Sequence, residues 1–149
     1  MHITLKFLGN IGKNSIQEIS DEMSNISSVF NSFTINFHKI GAFPNLKHPN
    51  VLWLGIDKGA SNLKMLNKEI ENALGKLGFK EENREFKPHL TLARIRSLKN
   101  MSNLTKLIEE TDFNLWDDLE INKLALYQSI LNPKGAIHTI ITEKYLQIN

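Results

Sequence analysis

One short pattern occurs twice in this sequence, as His2-Ile3-Thr4-Leu5 at its start and as His89-Leu90-Thr91-Leu92 beyond its middle. Each copy sets a histidine and a threonine two residues apart, with aliphatic residues between and after them. In a strand, residues i and i+2 point the same way, so each copy predicts an imidazole and a hydroxyl on one face. Ile3, Leu5, Leu90 and Leu92 then turn to the opposite face, toward a core. Two such strands, separated by most of the chain, predict a duplicated unit that brings both His-Thr pairs to one cleft. Two imidazoles facing one small substrate can donate and accept protons together near neutral pH. A threonine hydroxyl can donate to a phosphoryl oxygen. The pattern therefore points to acid-base cleavage of a phosphate ester.

Other features narrow the class by exclusion. The chain has no cysteine, which rules out disulfides, thiolate nucleophiles and cysteine-based metal sites. The His-x-x-x-His helical spacing is missing and neither motif contains an acidic residue, so no metal site is expected. Gly9 and Gly12 are not followed by the Lys-Ser/Thr pair of a phosphate-binding loop. A length of 149 residues suits one domain, and 41% hydrophobic with 23% charged residues is ordinary for a globular protein. The net charge of +2 permits an anionic substrate without requiring one. No apolar run reaches membrane-span length and the start does not read as a signal peptide, so the expected setting is cytoplasmic.

Hydrophobic periodicity predicts strands and helices interleaved without strict alternation, which favours an α+β fold. Met1 to Leu8 reads as a strand. Asn14 and Gln17 read as a capping box before a helix carrying Ile16, Ile19, Met23, Ile26 and Phe30. Phe33 to Lys39 alternates as a strand, broken by Gly41-Ala42-Phe43-Pro44-Asn45, and Val51 to Ile56 is an apolar strand. A second helix from about Ser61 carries Leu63, Leu66, Ile70, Leu74 and Leu77 and stops at Gly78. Pro88 leads into the second His-Thr strand. A third helix is expected over Asn103 to Thr111, with Leu104, Leu107 and Ile108 inward. Leu119 to Ile130 and Ala136 to Thr142 read as strands joined through Leu131-Asn132-Pro133-Lys134-Gly135.

Among the remaining candidates, Arg94 follows the second motif closely enough to hold a phosphate with two parallel hydrogen bonds. Strict alternation places it on the face opposite His89, so that role requires a bend or the strand's end near Ala93. Arg96 reads as a solvated arginine, His38 as a solvent-face strand residue and His48 as a loop residue. His138 falls in the last strand with no assigned role. Phe43 and Trp53 could stack on a base, but core positions suit them better.

The segments His2-Ile3-Thr4-Leu5-Lys6-Phe7-Leu8-Gly9 and Pro88-His89-Leu90-Thr91-Leu92-Ala93-Arg94 resemble the two signatures of the two-histidine phosphoesterase superfamily. The branch most similar is the RNA 2′,3′-cyclic phosphodiesterases, historically called 2′-5′ RNA ligases. Gly41-Ala42-Phe43-Pro44, Val51-Leu52-Trp53-Leu54-Gly55, Leu126-Tyr127-Gln128-Ser129 and Pro133-Lys134-Gly135-Ala136 extend the resemblance over essentially the whole chain. It implies a single domain over residues 1–149 with two lobes. These are antiparallel sheets with helices outside, related by a pseudo-twofold axis, and both motifs line a central cleft. It implies hydrolysis of an RNA 2′,3′-cyclic phosphate to a 2′-phosphomonoester without metal or other cofactor. In that mapping His89 is the general base and His2 the general acid, while Thr4, Thr91 and Arg94 hold the phosphate. A monomer is expected for the full-length fold, with no membrane partner.

One departure stands out: the family ordinarily carries a strand and a helix before the first motif, often with Met directly before its His. Met1 occupies that place here, so a truncated start with an exposed strand edge is expected. Three readings stay open: an RNA 2′,3′-cyclic phosphodiesterase, a phosphodiesterase of small cyclic nucleotides or 2′-5′ oligonucleotides, and a nucleotide- or RNA-binding module inactive through truncation.

Overall fold

Among the described residues, three helices and seven strands follow one another in the order α1 (Lys13–Ser27), β1 (Phe33–Ile35), β2 (Phe37–Phe43), β3 (Val51–Ile56), α2 (Ala60–Lys76), β4 (His89–Arg94), α3 (Met101–Glu110), β5 (Leu119–Ile121), β6 (Lys123–Asn132) and β7 (Gly135–Tyr145). The structure is a computed structural model that describes residues 2–97, 101–111, 117–133 and 135–148. Met1 and Lys134, on which the expected first strand and the hairpin link fall, lie outside the described residues. The fold is α+β, as expected. Its sheets are a three-stranded β2-β3-β4, a β1-β5 pair and a β6-β7 hairpin.

The chain divides into two compact units. The first gathers Met1–Leu5, Thr34–Lys64 and Phe86–Leu119, and its centre is the antiparallel β2-β3-β4 sheet. One face of that sheet is apolar because alternate residues of each strand are: Ala42, Leu52, Leu54, Ile56 and Leu90 are buried, with Ile35, Phe37 and Leu63. The opposite face carries the polar and aromatic residues described below. Asp118 accepts hydrogen bonds from Lys58 and Asn36, which hold its carboxyl below the usual carboxylate range.

The second unit comprises Lys6–Phe33, Met65–Glu85 and Glu120–Asn149. Ile19, Met23 and Ile26 recur at helical spacing on α1 and are buried, as are Leu66, Ile70 and Leu74 of α2 and Leu124 and Leu126 of β6. Gly78 ends the second helix with a left-handed φ of 87°, and Phe79 N–H donates back to the Leu74 carbonyl at 3.1 Å. That is a Schellman closure, which a residue with a Cβ would strain.

Several boundaries depart from the sequence reading. Residues 2–9 carry no strand assignment: His2 and Phe7 are exposed, and Ile3 and Leu5 are only half-buried. Alternation gives a segment its faces, but a strand exists only where a neighbour supplies the hydrogen-bonded ladder. The first helix starts at Lys13 on Gly12, with no side-chain cap, and Gln17 donates to Asp21 instead of closing a capping box. The strand expected over residues 33–39 breaks at Asn36, which donates its N–H to the Lys58 carbonyl. Strand β2 then runs on through Gly41 and Ala42 to Phe43, past the expected loop start. Leu107 faces outward, because α3 turns Leu104 and Ile108 inward but offers that position no cover.

A buried ion pair ties down the chain just after the first motif. Lys6 Nζ lies 2.5 Å from Glu71 Oε2 and donates to the Lys80 carbonyl at 2.9 Å. The two side chains are 3% and 15% exposed, so neither charge is solvated on its own. Removing one partner leaves the other charge buried and unpaired, which costs about 3–5 kcal/mol. Lys6→Met should therefore lower unfolding stability in urea by about that amount. The Lys6→Met/Glu71→Leu pair should recover most of the loss.

Candidate active site

The second motif is built as a strand. Pro88 precedes β4 and cannot donate to a ladder, which makes it suitable as a strand's first neighbour. His89 then pairs with Gly55, Leu90 with Leu54 and Thr91 with Trp53. Paired residues share a face, so Leu90 joins Leu54 in the core while His89 and Thr91 stand on the outer face.

Past Thr91 the register shifts. Ala93 pairs with Leu52 and Arg94 with Val51, so two residues of β4 advance against one of β3. This is a β-bulge, and it reverses the alternation beyond it. Val51, Trp53 and Gly55 lie on one side of β3, so Arg94 comes to the same face as Thr91 and His89. Leu92, expected in the core, is thereby pushed out and is exposed. The bend that the sequence reading required for Arg94 is this bulge.

The His89 ring is held on three sides. Its Nδ1 lies 2.6 Å from the Lys87 carbonyl oxygen. A carbonyl can only accept, so Nδ1 carries the proton, and in the neutral ring Nε2 keeps its lone pair. Phe43 meets the imidazole edge-on with centroids 5.2 Å apart, and Trp53 does so at 6.3 Å. Phe43 and Trp53 also pack on each other at 5.2 Å. Half-buried His89 is thus fixed in orientation with one nitrogen available for proton transfer, while Thr91 and Arg94 are exposed beside it.

Two glycines make room for these aromatics. A Cβ on Gly41 would lie 2.2 Å from the Trp53 indole, and one on Gly55 would lie 3.2 Å from it. The indole therefore lies flat over bare backbone, with its Nε1 buried and unpartnered among the described residues. The sequence favours core positions for Phe43 and Trp53 over base stacking, and the structure instead makes them walls around His89. Glycines flanking the tryptophan two residues away, and opposite it, were the available signal.

The other candidates are placed as follows. His2 is exposed and Thr4 half-buried, and both fall in the same compact unit as β4. His48 and Arg96 line a shallow depression of about 210 Å³ with Pro49, Asn50, Ile95 and Ser97. His138 belongs to the β6-β7 hairpin, where its Nδ1 lies 2.7 Å from Ser129 Oγ.

The model of the 2′-5′ RNA ligase superfamily matches residues 1–130. The chain belongs to that superfamily. An RNA 2′,3′-cyclic phosphodiesterase of Aeropyrum pernix is 37% identical over 142 residues, covering 95% of this chain and 80% of that protein. One from Aquifex aeolicus is 36% identical over 149 residues, covering 98% and 78%. The structure of E. coli LigT complexed with 3′-AMP shares the fold, with a TM-score of 0.76 at 23% identity over 97% of this chain and 76% of that one.

Gly41→Ala tests the packing around His89. The added methyl has no space beneath the indole, and overpacking of this kind costs about 1–3 kcal/mol. Chemical denaturation should show that loss. Turnover should fall with it, because the rings that hold His89 must shift.

Proposed function

We propose that this chain is an RNA 2′,3′-cyclic phosphodiesterase, which opens a terminal 2′,3′-cyclic phosphate to a 2′-phosphomonoester by acid-base catalysis between two histidines. The observation that carries this is the environment of His89. It is a fixed imidazole whose Nδ1–H is committed to the Lys87 carbonyl, leaving Nε2 as a proton acceptor. It shares its face with a threonine and an arginine suited to a phosphate. Relatives more than 35% identical over nearly the whole chain bear the name of this activity.

In the reaction, His89 Nε2 takes a proton from water as the water oxygen attacks phosphorus. The bond from phosphorus to the 3′ oxygen breaks, and His2 gives that oxygen a proton. Thr4 and Thr91 donate to the nonbridging phosphoryl oxygens, and Arg94 offsets the charge that develops on them. With a 5′-hydroxyl in place of water, the same two roles join phosphorus to the 5′ oxygen and release the 3′ hydroxyl, a 2′-5′ ligation, and cleavage of that bond exchanges the roles of the histidines. No metal ion is needed, since proton transfer and charge stabilisation both come from side chains.

His2→Ala and His89→Ala should each reduce turnover of a cyclic-phosphate RNA on the order of 10²–10⁴-fold. The double variant should lose far less than the product of the two, because the residues act as a unit. Retention of most activity by either single variant would remove the two-histidine mechanism.

Turnover should also survive excess EDTA. Loss on chelation, restored by one divalent cation, would place the chemistry among metal-assisted hydrolases instead.

A further inference from the structure

The face that carries His89 has a second group of cationic and imidazole side chains, which the acid-base step does not use. Strand β2 contains its own register shift: Phe37 pairs with Ile56 and Lys39 with Gly55, leaving His38 as the extra residue. Both side chains turn toward Gly55. A Cβ placed there would lie 3.0 Å from His38 Cε1 and 3.3 Å from Lys39 Cγ. His89 pairs with the same glycine from the other side. Gly55 is therefore bare floor between His89 on one edge and His38 with Lys39 on the other. The two edges are separated by two strand spacings, about 10 Å.

Among the described residues, this second group has no carboxylate partner. His38 and Lys39 are exposed, and neither bonds to another described residue. Strands β2, β3 and β4 contain no aspartate or glutamate. An ammonium and an imidazole N–H are both donors to phosphoryl oxygen. Lysine's flexible four-carbon stem can carry the Lys39 ammonium back over the bare glycine, toward a phosphate next to the one held at His89.

We propose that His38 and Lys39 form a second phosphate subsite, which holds the phosphodiester one nucleotide from the cyclic end and favours oligonucleotides over cyclic mononucleotides. This rests on the phosphodiesterase reading above. The alternative for Lys39 is a charge that guards an open sheet edge against pairing, with no ligand at all.

The test compares kcat/KM for a short RNA ending in a 2′,3′-cyclic phosphate with that for a 2′,3′-cyclic mononucleotide. The proteins are the wild type, Lys39→Gln, the His38→Ala/Lys39→Ala pair, and Lys106→Gln on α3 as a control for net charge. The ratio of the two constants should fall about tenfold in the pair, mostly through KM, as expected for a lost charge-assisted contact. The salt dependence measured with RNA should become shallower by about 0.7 in the log-log slope for each phosphate contact removed. An unchanged ratio, or an equal fall with Lys106→Gln, would overturn the subsite and leave Lys39 as an edge guard. Turnover of neither substrate by the wild type would instead sink the phosphodiesterase reading, and the subsite with it. Lys39→Gln alone should lower the ratio in the same direction, which keeps the test decisive if the double variant folds poorly.

Discussion

Backbone pairing in the β2-β3-β4 sheet decides what every functional side chain on it can do. Residues paired across a ladder share a face, so the register is also a list of which groups can meet one substrate. A slip of one residue would bury His89 and expose Leu90. The pairs His89 with Gly55 and Leu90 with Leu54 hold that register, and they are secured by the apolar residues of the inner face. Burial of Leu52, Leu54 and Leu90 thus fixes the chemistry of the outer face at no cost to it.

The two bulges then edit the simple alternation. In β4 the shift after Thr91 brings Arg94 round to the histidine's side, whereas a regular strand would have pointed its guanidinium away. In β2 the shift at His38 places two adjacent side chains beside Gly55. Glycine at positions 41 and 55 leaves space that the Trp53 indole and the His38 ring occupy. Orientation of His89 depends on the same economy of parts, since a backbone carbonyl two residues upstream sets its tautomer and aromatic neighbours limit its tilt.

Much of this was legible in the sequence, and the reasons for the rest are physical. Period-two alternation identified His89, Thr91 and the strand that carries them, and period-3.6 spacing found α1 and α2, although α1 ends at Ser27, before Phe30. The same alternation misjudged residues 2–9, because it reports which way side chains would point and says nothing about whether a neighbouring strand supplies a ladder. It also could not locate the bulges. Those arise from pairing between segments far apart in the chain, so Arg94 was assignable only on condition of a bend. Leu92 was misplaced for the same reason. Lys6 went unnoticed as an anchor, since its partners Glu71 and Lys80 are distant in sequence and nothing local marks a lysine as buried.

If water activated at His89 opens the cyclic phosphate toward the 2′ ester, the label of that water must end on the product. Phosphorus NMR of the reaction in 18O-labelled water, with an RNA that ends in a 2′,3′-cyclic phosphate, should show a single product, the 2′-phosphomonoester, with one labelled oxygen on its phosphorus. A 3′-phosphomonoester, a mixture of the two, or an unlabelled product would contradict it.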